Sequence, residues 1–342
     1  MENSKLKTFV RDYTIVIVIA LLAVGFTIGN KNFFTVSNFL TIMRQSAIMG
    51  VCGVGLMFCM VTGSINLATG SFMSLTTVLV ALWSVNWGQN WIIGMILAVI
   101  ICTIIGFVMG EVIIRGNINP MIGSLAVKTI LAGAAYLISG GLPIYGIPDE
   151  SKWLGQGFIG IIPVPVVVLV VVAVIASIVF TKTYLGRKFF AAGSNDEAAR
   201  LSGIRTKEIR IASFIVCGML CGIAGCIQLG RMGSGQPAAG SEVEMNILAA
   251  LIIGGVAIGG GEGKVLRAFC GVFLINMLTN GMTLMNVNQY WQQVVQGFVF
   301  LFAVLLEAYQ HRPFVPKKAK EQKKVEAKAG RLRPQLFRPD RS

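Results

Sequence analysis

The chain has 342 residues, 55% of them hydrophobic and 13% charged, and a formal net charge of +14. A soluble domain would carry about a quarter charged residues, and apolar runs such as IPVPVVVLVVVAVIASIVF (162–180) lack the alternation of outer-membrane barrel strands. Both classes are excluded, leaving an all-α polytopic membrane protein whose positive charge collects in short connections and the tail, so that it marks topology rather than a nucleic-acid partner.

Helices cross a bilayer with about 20 apolar residues, and the hydropathy pattern predicts about ten such spans. In chain order they are 13–29, 46–61, 72–86, 91–113, 118–139, 161–180, 209–230, 245–258, 266–286 and 291–307. The first follows a basic start and has no clean small-residue cleavage site, so it reads as an uncleaved span. Ten crossings that begin inside put residues 1–12, the connection 181–208 and the tail 308–342 in the cytoplasm. Of the 29 Lys and Arg, only Lys31, Arg44, Lys152 and Arg231 then fall on the opposite side, with Lys128 inside a span. That is a strong positive-inside asymmetry. The Lys-rich, Pro-punctuated tail reads as disordered and as a contact for the lipid bilayer or a topological anchor.

What the sequence lacks narrows the class. Its one His, His311, lies near the end, and no nucleophile elbow follows a strand signal. The seven cysteines fall in apolar stretches without CxxC spacing, which argues against a disulfide framework or a metal site. The sequence GGGEGKV (259–265) departs from the phosphate-binding loop at both ends and reads as a tight turn. No catalytic residue and no cofactor is expected. Ionisable residues are almost missing from the spans, so the chain reads as a conduit that draws its energy from elsewhere or passes solute downhill.

Three Gly-rich breaks and one polar island remain. In VTGSINLATGSFMSL (61–75), Gly63 and Gly70 break the helix pattern, and Ser64, Asn66, Thr69 and Ser71 offer neutral hydrogen-bonding groups. These fit either a pathway for a polyhydroxylated solute or a polar turn with packing glycines. NPMIGSLAVKTILAGAAYLISGG (119–141) is rich in small packing residues, Ser124 among them, and carries Lys128, which is expected to face a cavity or a subunit interface. MNILAALIIGGVAIGGGEGK (245–264) reads as a closely packed helix and turn. In the island FFAAGSNDEAARLSGIRTKEIR (189–210), Ser194 and Glu197 have capping-box spacing and Gly203 suits a left-handed stop. A capped helix over 195–202 is expected, either docked in a partner's groove or part of a solvated loop.

At these residues the chain resembles the permease subunits of bacterial ABC importers for monosaccharides, of the ribose, xylose, arabinose and autoinducer-2 type. GSINLATGS resembles that family's GGIDLSxGS signature, LGRKFFAAGSNDEAARLSGI (185–204) its cytoplasmic coupling loop, and NILAALIIGGVAIGGGEG (246–263) its IAAxxxGGxxxxGGxG segment. The resemblance implies a fold like the vitamin B12-type importer permease and a place in a bacterial inner membrane. It also implies a sugar ATPase, a second permease subunit (identical or paralogous) and an extracytoplasmic solute-binding protein as partners. Gly193, Asn195, Ala198, Ala199 and Gly203 carry over as ATPase-coupling residues, with Glu197 beside them. The signature's Asp is Asn66 here and its second Gly is Ser64, and Lys128 replaces an uncharged residue. A stand-alone facilitator for a small neutral solute is the alternative function.

Overall fold

The computed structural model describes residues 2–310, with side chains described for residues 15–305. Most of the predicted tail, 308–342, lies outside the described residues. Of the described residues, 78% are helical, and those up to Val304 form one compact unit, with Leu305 beginning a second.

A helix lies over each of the ten predicted stretches: α1 (Glu2–Gly29), α2 (Val36–Val61), α3 (Thr69–Ala81), α4 (Trp91–Arg115), α5 (Pro120–Ser139), α7 (Val164–Lys182), α10 (Thr206–Met232), α11 (Val243–Ile253), α12 (Val265–Leu284) and α13 (Gln289–Gln310). Three short helices stand between them: α6 (Asp149–Gln156), α8 (Tyr184–Ser194) and α9 (Asp196–Leu201). Among the described residues, six helices are long and apolar enough to cross a membrane: α2, α4, α5, α7, α10 and α12. The protein is therefore an all-α polytopic membrane protein.

Local chemistry sets the boundaries. Asn90 and Asn119 accept from the N–H groups of Ile92 and Met121 at 2.9 and 3.0 Å, and Pro120 opens α5. These side chains satisfy donors that a helix start leaves free. Helices α5 and α10 stop at Gly140 and Gly233, both left-handed (φ +66° and +68°). α2 begins ten residues earlier than hydropathy suggested, at the Thr35 cap, and carries Arg44 within it. The Arg44 guanidinium reaches the Gln156 carbonyl at the end of α6 (3.2 Å) and lies over the Phe158 ring at 4.5 Å. A positive charge is well placed against the free carbonyls of a helix end. Phe158 opens a two-residue strand, β1, that pairs antiparallel with β2 (Ile162–Pro163).

The core is built around α10, whose most extensive packing is against α4, then α2 and α3. Two GxxxG faces meet here: Gly106 and Gly110 of α4, and Gly218 and Gly222 of α10. A Cβ at Gly218 would stand 2.4 Å from the Cys102 carbonyl oxygen, and one at Gly106 would stand 2.6 Å from that of Phe214. Only glycine lets the backbones come this close, and in lipid such packing replaces the hydrophobic drive that water would supply. α2 joins the same core, with Cys52 touching Cys221 of α10 at 3.2 Å between sulfurs. The apolar window of α2 is 78% buried inside the protein, whereas that of α5 is only 17% buried.

Candidate functional site

The first Gly-rich break is a gap in helix at the end of α2. Gly63 is left-handed (φ +74°), and regular helix resumes at Thr69. Backbone freed inside a membrane protein must find partners within it. Asn66 supplies one, its Oδ1 accepting from Ala68 N–H at 2.9 Å while Nδ2 points to the Cys217 sulfur at 3.4 Å. Ser124 of α5 supplies another, accepting from Leu67 N–H at 3.0 Å and standing 3.2 Å from the Ile65 carbonyl. In the sequence Ser124 showed only as a small packing residue; its position four before Lys128, on one helix face, was the available signal. Ser64, Asn66 and Thr69 are fully buried and Ser71 nearly so. The hydroxyls of Ser64 and Thr69 have no partner, an exception among buried polar groups that calls for an explanation.

The break is tied to the polar island and to the turn after α11 by close backbone approach. The Val61 carbonyl accepts from Gly261 N–H at 2.9 Å. A Cβ at Gly193 would lie 1.9 Å from that same carbonyl oxygen, and one at Gly260 would lie 2.6 Å from Gly63 N. One at Gly261 would meet Ser194 at 2.8 Å. The signature break, the polar island and the turn after α11 thus meet in one knot that side chains would prise apart. The sequence placed these motifs about 70 or more residues apart and showed no link among them.

The island itself departs from its expected form. It holds two helices, because α8 runs to Ser194 and absorbs the residue expected to cap. The cap of α9 is Asn195, whose Oδ1 accepts from Ala198 N–H at 3.0 Å. At the other end the expected stop is present: Gly203 is left-handed (φ +80°). Its N–H bonds the Arg200 carbonyl, and that of Ile204 bonds Ala199, the Schellman pattern. Ala199 is buried, while Glu197, Ala198 and Gly203 are exposed and Leu201 is 85% exposed. Beside α9 lies a cleft of about 820 Å³ between the α4–α5 turn and the start of α10, lined by Asn117, Asn119, Arg200, Lys207 and Arg210 among others.

α8 anchors this unit. Phe189 sits 5.4 Å from Phe58 of α2 and 6.4 Å from Phe180 of α7, edge to face with both. Truncating a buried Phe costs about 3–5 kcal/mol. Phe189→Ala is therefore expected to lower thermal stability and to expose the α7–α9 segment to limited proteolysis before the rest of the protein unfolds.

Lys128 has a partner that the sequence reading did not assign. Its ammonium donates to Glu244 Oε1 of α11. Glu244, one residue ahead of the predicted span 245–258, is 1% exposed, inside the fold.

The architecture is that of a polytopic membrane protein with a packed loop unit seated on its core helices, and comparison with known proteins gives the family. The family described as "branched-chain amino acid transport system / permease component" matches residues 38–304, and the chain belongs to it. Its relatives include the ribose import permease protein RbsC of Bacillus subtilis, 35% identical over 305 residues, covering 89% of this chain and 92% of the relative. RbsC of Escherichia coli K12 is 31% identical over 298 residues (86% and 92% covered), and the L-arabinose transport system permease protein AraH of the same organism is 33% identical over 308 (88% and 92%). The match runs through all three motifs on which the resemblance was drawn. No solved structure matches the chain.

Proposed function

We propose that this chain is the membrane-spanning permease of an ATP-driven importer for a pentose or related polyol. The relatives named for ribose and arabinose support that solute class. It crosses a bacterial plasma membrane about ten times, a count that requires α1, α3, α11 and α13 to take part beside the six membrane-capable helices. The arrangement follows the vitamin B12-type importer, with both termini in the cytoplasm. A sugar ATPase, a second permease subunit and an external solute-binding protein complete the machine.

The observation that carries this reading is the backbone knot. α9 presents an exposed, capped end with Asn195, Glu197, Ala198 and Gly203 to a partner, while Ala199 and, through α8, Gly193 tie it inward. Force applied to α9 reaches Val61 and the break through contacts with no flexible side chain between them. At the break, the unpartnered hydroxyls of Ser64 and Thr69, with Asn66 and Ser71 beside them, are suited to hydrogen-bond solute hydroxyls when the pathway opens.

The test is reconstitution in proteoliposomes with a sugar ATPase and a solute-binding protein from the same organism, with ribose and arabinose as probes. ATP-dependent uptake is expected, with hydrolysis stimulated by the loaded binding protein. Gly203→Asp, at an open and exposed position, is expected to preserve the permease pair yet remove the stimulation. Sugar flux without ATP or partners would instead establish a facilitator.

A further inference from the structure

The Lys128–Glu244 pair is asymmetric in a way that ion pairs built for stability need not be. Glu244 is 1% exposed, whereas the Lys128 side chain is 31% exposed. Lys128 stands on α5, whose apolar window is the least buried of the six membrane-capable helices. An ammonium at that depth is not left facing hydrocarbon, so the open side of Lys128 meets water or protein.

The carboxylate behind it is enclosed by backbone. A Cβ at Gly70 would lie 2.5 Å from Glu244 Oε2 and 2.1 Å from the Gly240 carbonyl oxygen. This puts Oε2 against the first turn of α3, a 13-residue helix with no side-chain cap. The free N–H groups of a helix start favour negative charge. Gly240 N–H donates to Ser74 Oγ at 2.9 Å, fixing the segment that leads into α11. Oε2 itself has no hydrogen-bond partner. A buried, enclosed carboxylate therefore faces an ammonium on a long, flexible stem.

Building on the importer reading, we propose that Lys128 is a specificity-determining residue that donates to oxygen atoms of the passing solute, and that Glu244 is the positioning residue that holds its ammonium at the pathway wall. An ammonium has three donors and no acceptor. Glu244 takes one, leaving two for hydroxyl or carboxylate oxygens. Neutral or anionic sugars supply such oxygens; a cationic amino sugar is repelled.

The experiment uses the complete transporter in proteoliposomes, with ribose as the probe and the melting temperature recorded for each variant. Lys128→Met strands a buried carboxylate and is expected to lower both stability and uptake. Lys128→Met/Glu244→Gln removes both charges and is expected to recover the melting temperature, while the maximal uptake rate stays about tenfold or more below wild type at an unchanged KM for loaded binding protein. Lys128→Arg, which keeps the charge and donors, is expected to retain most of the rate. Return of wild-type uptake in the double variant would reduce the pair to a structural tie and overturn the proposal. So would failure of Lys128→Arg to exceed Lys128→Met at equal stability. Absence of ATP-driven uptake by wild type would instead bring down the importer reading, and this proposal with it.

Discussion

Gly193→Val is expected to abolish ATP-driven uptake and to lower the unfolding temperature of the purified chain. The added Cβ would fall 1.9 Å from the Val61 carbonyl oxygen and 2.7 Å from Gly261 N. These two atoms are already bonded to each other at 2.9 Å, and neither belongs to a side chain that can swing away. Relief requires lifting α8 off the end of α2, which also pulls Phe189 from Phe58. Overpacking a well-filled site costs about 1–3 kcal/mol, and backbone contacts leave least room for adjustment. Gly203→Ala makes the contrast. Its site is open within 4 Å, and only the left-handed φ of +80° resists a side chain; that strain is about 1–2 kcal/mol and is confined to the end of α9. Thermal unfolding of both variants beside their uptake rates separates the two effects. Wild-type stability and uptake in Gly193→Val would mean that α8 does not meet α2 through its backbone.

Much of this site could be read one segment at a time, but not its assembly. The longest apolar stretches hold the six membrane-capable helices because twenty or so apolar residues in a row have little alternative in a bilayer. Where hydropathy faltered, a polar residue had a partner far along the chain. Asn38, Thr41, Arg44 and Gln45 dilute the hydropathy of the first turns of α2, yet Arg44 is matched by Gln156 and Phe158. α8 lies within the charged connection 181–208, although Gly186, Phe189 and Ala192 recur every three residues and all are buried. That periodicity was the missed signal. Lys128 and Glu244 are separated by 116 positions, and no local rule pairs them. The same holds for Gly193, Val61 and Gly261, whose closeness is a property of the folded backbone alone.

The α8–α9 unit is packed against α7, α10 and α2. α8 leans on α2 through Phe58 and on α7 through Phe180, and α2 and α10 share the interior, so under the proposed coupling a movement begun at α9 reaches the break at 62–68 through the end of α2. The proposed coupling therefore needs a rigid α4–α10 contact, with α10 held against α4 while α2 and the break shift beside it. Asn66 sits on that seam, with one end closing the Ala68 turn and the other on Cys217 of α10.

The second large effect follows at that contact. Gly218→Leu is expected to cost most of the folded yield in detergent, and Gly218→Ala to lower stability by about 1–3 kcal/mol. A Cβ at Gly218 would be 2.4 Å from the Cys102 carbonyl oxygen and 3.3 Å from Gly106 Cα. To admit it, α4 and α10 must move apart by about the depth of a methyl group, and the dispersion contacts along both GxxxG faces weaken together. Gly297→Ala in α13 is the control, since nothing lies within 4 Å of its Cβ position. There the substitution only replaces a poor helix former by a good one and is expected to be neutral or stabilising by about 0.5–1 kcal/mol. Opposite signs for one chemical change, measured as midpoints of thermal unfolding, would establish that Gly218 is retained for backbone approach. A Gly218→Ala variant as stable as Gly297→Ala would place the two helices farther apart than the structure has them and remove the rigid partner that the coupling route needs.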